Sequence, residues 1–145
     1  MKKTITILFL FFALFSGCST DIDYMEEPVA IDGFATQQIP DDSSMTLVCD
    51  LETLRKITPS DMTFLEKVDF SKINFSKNNL LLIHDVSNYG VHEIIKNHIS
   101  SGNGFEFNIN VRQNFLCVMQ PWCIAYIMPK SLKQENIKYK ISYTQ

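Results

Sequence analysis

Ser101-Gly102-Asn103-Gly104-Phe105-Glu106-Phe107-Asn108-Ile109-Asn110-Val111-Arg112 decides the fold. Phe105, Phe107, Ile109 and Val111 alternate with Glu106, Asn108, Asn110 and Arg112. Strict period-two alternation is the pattern of a strand with one buried face. Ser101-Gly102-Asn103-Gly104 reads as a hairpin turn, because Gly and Asn tolerate positive φ. The strand therefore pairs back onto the segment before it, Val91 to Ile99, whose own pattern is mixed. Ile137, Tyr139, Ile141 and Tyr143 alternate with Lys138, Lys140, Ser142 and Thr144 in the same way, a last half-exposed strand.

Outward from this core the apolar runs become continuous. Asn79 to Val86 contains Leu80-Leu81-Leu82-Ile83, which suits a strand covered on both faces. Phe115 to Met119 and Cys123 to Met128 read as two further apolar strands, joined across Gln120-Pro121-Trp122. Met45 to Cys49 is a short β-like run. Asp50 is placed to cap a helix through Leu51, Leu54 and Ile57, which Pro59 ends. Ser60 or Asp61 is placed to cap another turn through Met62, Leu65 and Val68. The expected fold is α+β and mostly β: an antiparallel sheet system with one or two short N-terminal helices. No internal repeat or low-complexity tract interrupts it.

The N-terminal part has a different character. Lys2 and Lys3 precede an apolar run of about eleven residues, Ile5 to Phe15, the length of a signal h-region and too short for a membrane span of about 20. Leu14-Phe15-Ser16-Gly17-Cys18 follows. It resembles the lipobox of bacterial lipoproteins, with Phe15 where Leu is preferred. The resemblance implies a signal peptide over 1–17 and a Cys18 whose thiol carries diacylglyceryl and whose amino group is acylated, typically with palmitate. It also implies a membrane partner through the lipid, and Ser19 in place of Asp favours the outer membrane. A secretory signal with a chance cysteine is the competing reading. Residues 18–44 are rich in Asp and Glu and broken by Pro28, Gly33 and Pro40, which suits an acidic flexible tether. As a coil, residues 19–44 would span about 28 Å. The alternative is that Val29 to Phe34 adds an edge strand. The globular domain is expected over 45–145.

Without the leader the chain keeps 11 basic against 16 acidic residues, a balance of −5. No basic stripe with interleaved aromatics is present, so nucleic acid is not an expected partner.

The order of segments resembles the PrcB C-terminal domain family over about residues 46–143. Val68-Asp69-Phe70-Ser71-Lys72 leads into the first long strand, and Ile127-Met128-Pro129-Lys130 closes a later one. Family members often carry a Thr-Gly-Gly-Tyr-like turn between the first two long strands; here Ser87-Asn88-Tyr89-Gly90 stands in its place. The resemblance implies an extracytoplasmic, non-enzymatic accessory of a protein complex, and it transfers no catalytic residue.

Candidate chemistry is sparse. His84, His92 and His98 fall within fifteen residues, and His92-Glu93 opens like a zinc-protease motif. Its fifth position is Lys96, where a second ligand would be needed. On a strand, His92 and His98 lie about 20 Å apart. No metal, cofactor or catalytic residue is expected. Cys117 and Cys123 flank the Pro121 turn and are placed for a disulfide in an oxidising compartment. Pairing of Cys49 with either, or three reduced cysteines, are the alternatives. Tyr89, Trp122 and Tyr126 are candidate contacts for a glycan or peptide ligand, with Trp122 equally suited to a core position. The function expected is a lipid-anchored cell-envelope interaction module with a protein partner; a ligand-binding surface lipoprotein is the second.

Overall fold

The computed structural model describes residues 26–36, 38–39, 43–57 and 73–145. In chain order the elements are β1 (Val29–Ala30), β2 (Met45–Val48), α1 (Leu51–Ile57), β3 (Asn78–Ser87), β4 (Val91–Ser101), β5 (Gly104–Gln113), β6 (Gln120–Pro129), a 3-10 turn over Gln134–Asn136, and β7 (Ile137–Thr144). The class is the expected one, α+β and mostly β. The strands form two sheets, one ordered β1-β6-β3-β2 and the other β4-β5-β7.

β4 and β5 pair antiparallel through the Gly102-Asn103 turn, where Gly102 sits at φ 62°. Phe105, Phe107, Ile109 and Val111 of β5 point into the space between the sheets. They meet Leu81 and Ile83 of β3 and Trp122, Ile124, Tyr126 and Met128 of β6 there. The opposite face of β3 and β6 is also covered. Leu80, Leu82, Cys123 and Ala125 pack under α1 through Leu54, and under Ala35, Ile39 and Ile73. The first sheet is thus the middle layer of three, which is why its strands read as unbroken apolar runs while β5 and β7 alternate. α1 begins as its sequence predicts. Asp50 accepts hydrogen bonds from the Thr53 backbone N–H (2.7 Å) and hydroxyl (2.9 Å), and these hold its carboxyl below the usual carboxylate range. The second expected turn, from Ser60 to Val68, lies outside the described residues.

Three features depart from expectation. β7 pairs with β5 in parallel, Phe105 beside Ile137 through Arg112 beside Thr144. Alternation is the same in both pairing modes, so the pattern alone leaves direction open. Second, part of the expected tether is docked. Val29 and Ala30 pair with Ile127 and Tyr126. Ala35 exchanges two 2.9 Å backbone hydrogen bonds with Cys123, and Ile39 is buried in the helix-side core. The edge-strand alternative over Val29 to Phe34 is realised in part: only Val29–Ala30 forms a strand, and Ala35 adds an isolated bridge. Lys96 clamps the strap from the second sheet, its ammonium donating to the carbonyls of Ile31 (2.5 Å) and Gly33 (3.1 Å). Third, Phe115 to Met119 is not a strand. β5 belongs to one sheet and β6 to the other, so the chain spends these residues crossing between layers. The β3–β4 connection crosses at the same end of the molecule. Residue 26, the Gly102-Asn103 turn and the end of β6 lie together at the opposite end.

Candidate interaction surface

Asn114–Met119 connects β5 to β6 and exposes its large apolar side chains. Phe115 is 87% exposed, Leu116 64%, Val118 49% and Met119 70%, and Cys117 is exposed between them. Burying such a side chain is worth about 1.5–3 kcal/mol, so leaving four in water is costly. Neighbouring apolar side chains left in water make this loop the candidate contact surface.

The loop is held in one shape. Gly90 N–H donates to the Leu116 carbonyl (2.9 Å), and Asn114 N–H donates to the Gly90 carbonyl (2.8 Å). The Asn114 side-chain oxygen accepts from Leu116 N–H at 3.0 Å, an Asx turn. Val118 N–H closes a tighter turn onto the Leu116 carbonyl at 2.9 Å. Gly90 leaves room for this turn, since a Cβ at that position would collide with the Asn114 carboxamide and displace it. The neighbouring turn is fixed by Ser87, whose hydroxyl donates to the Tyr89 carbonyl (2.6 Å) and accepts from Gln113 Nε2 (2.7 Å). Gln120 Oε1 accepts from Val91 N–H at 2.9 Å. A rigid loop loses little conformational entropy on binding, which favours recognition.

The residues expected to form a ligand site are dispersed. Trp122 and Tyr126 are fully buried between the sheets, so neither ring has a face for a glycan or peptide; Tyr89 is half-buried in its turn. Trp122 takes the core role, its Nε1–H donating to the Tyr143 hydroxyl (3.3 Å), which donates to Asp85 Oδ2 (2.8 Å). Burial pushes the Tyr126 hydroxyl up to about 12, and this hydroxyl has no hydrogen-bond partner among the described residues.

No family model matches the chain, and no curated protein or solved structure matches it.

The expected Cys117–Cys123 disulfide does not form, and both cysteines, like Cys49, are free. Cys117 faces solvent in the loop, whereas Cys123 points into the helix-side core, where burial raises its thiol to about 12. The histidines separate as well. His84 is buried in the first sheet and His92 is exposed. His98 lies with its Nε2 3.3 Å from Glu27 Oε2 and its ring near Phe105, Phe107 and Tyr126. Among the described residues no group of three His, Cys, Asp or Glu could hold a metal ion. Cys18 lies outside the described residues.

A shallow, open depression of about 760 Å³ lies at the opposite end, lined by Lys77, Asn78, Asn103, Ser131 and Asn136. It gathers no cluster of reactive groups. The apolar loop was hidden in the sequence because Phe-Leu-Cys-Val-Met has the composition of a buried strand. The available signal was Asn114, an Asx-turn residue directly after the alternating run.

Proposed function

We propose that this protein is a non-enzymatic, lipid-anchored interaction module of a bacterial cell envelope, an outer-membrane lipoprotein serving as an accessory in an envelope complex. The observation that carries this reading is the rigid, exposed Phe115–Met119 loop. Supporting it are the Leu14-to-Cys18 string, which resembles a lipobox, and the order of segments, which resembles the PrcB C-terminal domain family. In this reading Cys18 carries the lipid. With the strap docked from Val29 onward, eight residues, 18–25, lie between the anchor and residue 26, a fully extended length of at most about 28 Å. The loop lies at the end of the sandwich away from residue 26. An anchor on that side leaves the loop directed off the membrane, toward protein.

The test has two arms. Cys18→Ser should leave the outer-membrane fraction; unchanged partitioning overturns the lipid anchor. A photoreactive residue at position 116, in cells, should form adducts with envelope proteins that the same residue at exposed position 103 does not. Equal or absent adducts at both positions overturn the loop as the contact surface.

A further inference from the structure

We infer that residues 26–32 form an arm that detaches from the domain as a unit, pivoting at Gly33 and latched by Lys96, while the rest of the strap stays docked. The closed arm covers the outer edge of β6, and the open arm releases it.

The arm and the part of the strap beyond it are held differently. Of residues 26–33, Pro28 alone is buried, Ile31 is half-buried and the others are exposed. The arm's backbone joins β6 through a two-residue strand and through the Ile31 N–H, which donates to the Ala125 carbonyl at 2.9 Å. Past Gly33, Phe34 packs against the core between the sheets, and Ala35 and Ile39 are buried in the helix-side core. A segment with few buried apolar contacts opens locally at far lower cost than the core. Gly33 supplies the hinge. It sits at φ 73° in open space, a conformation that glycine adopts without strain and a residue with a Cβ does not.

The latch comes from the other sheet. Lys96 stands opposite Ile109, and His98 opposite Phe107, so both β4 side chains share the face that β5 turns toward the core. Lys96 Nζ donates to the carbonyls of Ile31 and Gly33, and His98 Nε2 lies 3.3 Å from Glu27 Oε2. Among the described residues, these are the polar side chains of the domain that grip the arm. Burial holds the Lys96 ammonium below the ordinary lysine range, and Asp32 of the same arm pulls it back up. Hydrogen bonds from an ionised donor are roughly twice as strong as neutral ones, so this one side chain dominates the closed state. Opening returns the ammonium to water. It also leaves β6 from Ala125 to Ile127 as an unpaired edge, a ready template for another strand. Under the lipid-anchored reading, on which this consequence alone rests, opening adds residues 26–32 to residues 18–25. The extended reach then grows from about 28 Å to about 50 Å.

Native-state amide hydrogen exchange on the full-length protein tests the arm directly. The Ile31 N–H should exchange faster than the Ala35 N–H, which donates to the Cys123 carbonyl, and far faster than the β3 amides. Lys96→Met keeps the aliphatic stem and removes the donor. It should accelerate exchange at Ile31 by about tenfold or more and leave Ala35 and the β3 amides unchanged. Lys96→Arg restores a cationic donor and should return Ile31 toward the wild-type rate. Gly33→Ala is strained at positive φ and should accelerate Ile31 by about tenfold as well. Exchange of Ile31 at the β3 rate in the wild-type protein overturns the separate arm. An Ile31 rate indifferent to Lys96→Met, or raised only together with Ala35 and the β3 amides, overturns the latch. The Cys18→Ser chain should give the same rates as wild type, so failure of the anchor and failure of the latch are read separately.

Discussion

Ile39→Ala distinguishes a docked N-terminal segment from a solvated tether. Ile39 is 2% exposed and sits in the helix-side core with Val48, Leu54, Ile73 and Leu82. Truncating a buried isoleucine to alanine removes its transfer free energy and leaves a cavity, a cost of about 2–5 kcal/mol. The segment is held nearby by the paired backbone of Ala35 and Cys123, so the site cannot simply collapse outward, and the upper half of that range is expected. Were residues 18–44 a free coil, the same substitution would fall within about 0.5 kcal/mol of zero, as surface substitutions do. Urea denaturation followed by Trp122 fluorescence provides the assay. With a slope of about 1–3 kcal/mol per molar, the midpoint should fall by at least about 1 M. Val29→Ala, at an exposed side chain of β1, is the internal control and should leave the midpoint in place. Equal midpoints for wild type and Ile39→Ala would refute the docking of this segment and return the domain's start to residue 45.

Tyr126→Phe removes a buried hydroxyl without a hydrogen-bond partner among the described residues and should raise stability by about 1 kcal/mol or more in the same denaturation assay; a loss of stability contradicts the assignment. Gly90→Ala drives the Asn114 carboxamide out of its turn. Amide exchange should accelerate at Leu116 and Val118 while the β3 amides keep their protection. Native maleimide labelling should modify Cys49 and Cys117 rapidly and spare Cys123, whose thiol is buried and raised to about 12. Denaturant should expose that last thiol, and native labelling of Cys123 would contradict its placement.

The parts of the fold that the sequence discloses are those where burial leaves a period. β5 and β7 alternate because one face of their sheet meets the core, and β3 is continuously apolar because its sheet is covered on both faces. Asp50 announces the start of α1 through capping chemistry. The strap is less legible because a two-residue strand, the Lys96 ammonium and the scattered burial of Ala35 and Ile39 hold it. None of these leaves a periodic trace. The candidate surface is the least legible part. Its apolar residues match a buried strand in composition, and only the change of sheet between β5 and β6 turns them outward. Cys117 and Cys123, six positions apart, end on opposite sides of that crossing, one in solvent and one in the core.

The most direct measurement of the account is the reactivity of Cys117 in native membranes compared with dilute purified protein. Cys49, exposed and outside the loop, serves as the reference thiol in the same molecule. If the Phe115–Met119 loop is a contact surface, Cys117 labels as fast as Cys49 in the dilute protein and markedly slower than Cys49 in membranes, and Phe115→Glu restores its rate. Equal labelling of the two thiols in both settings would contradict the loop's role.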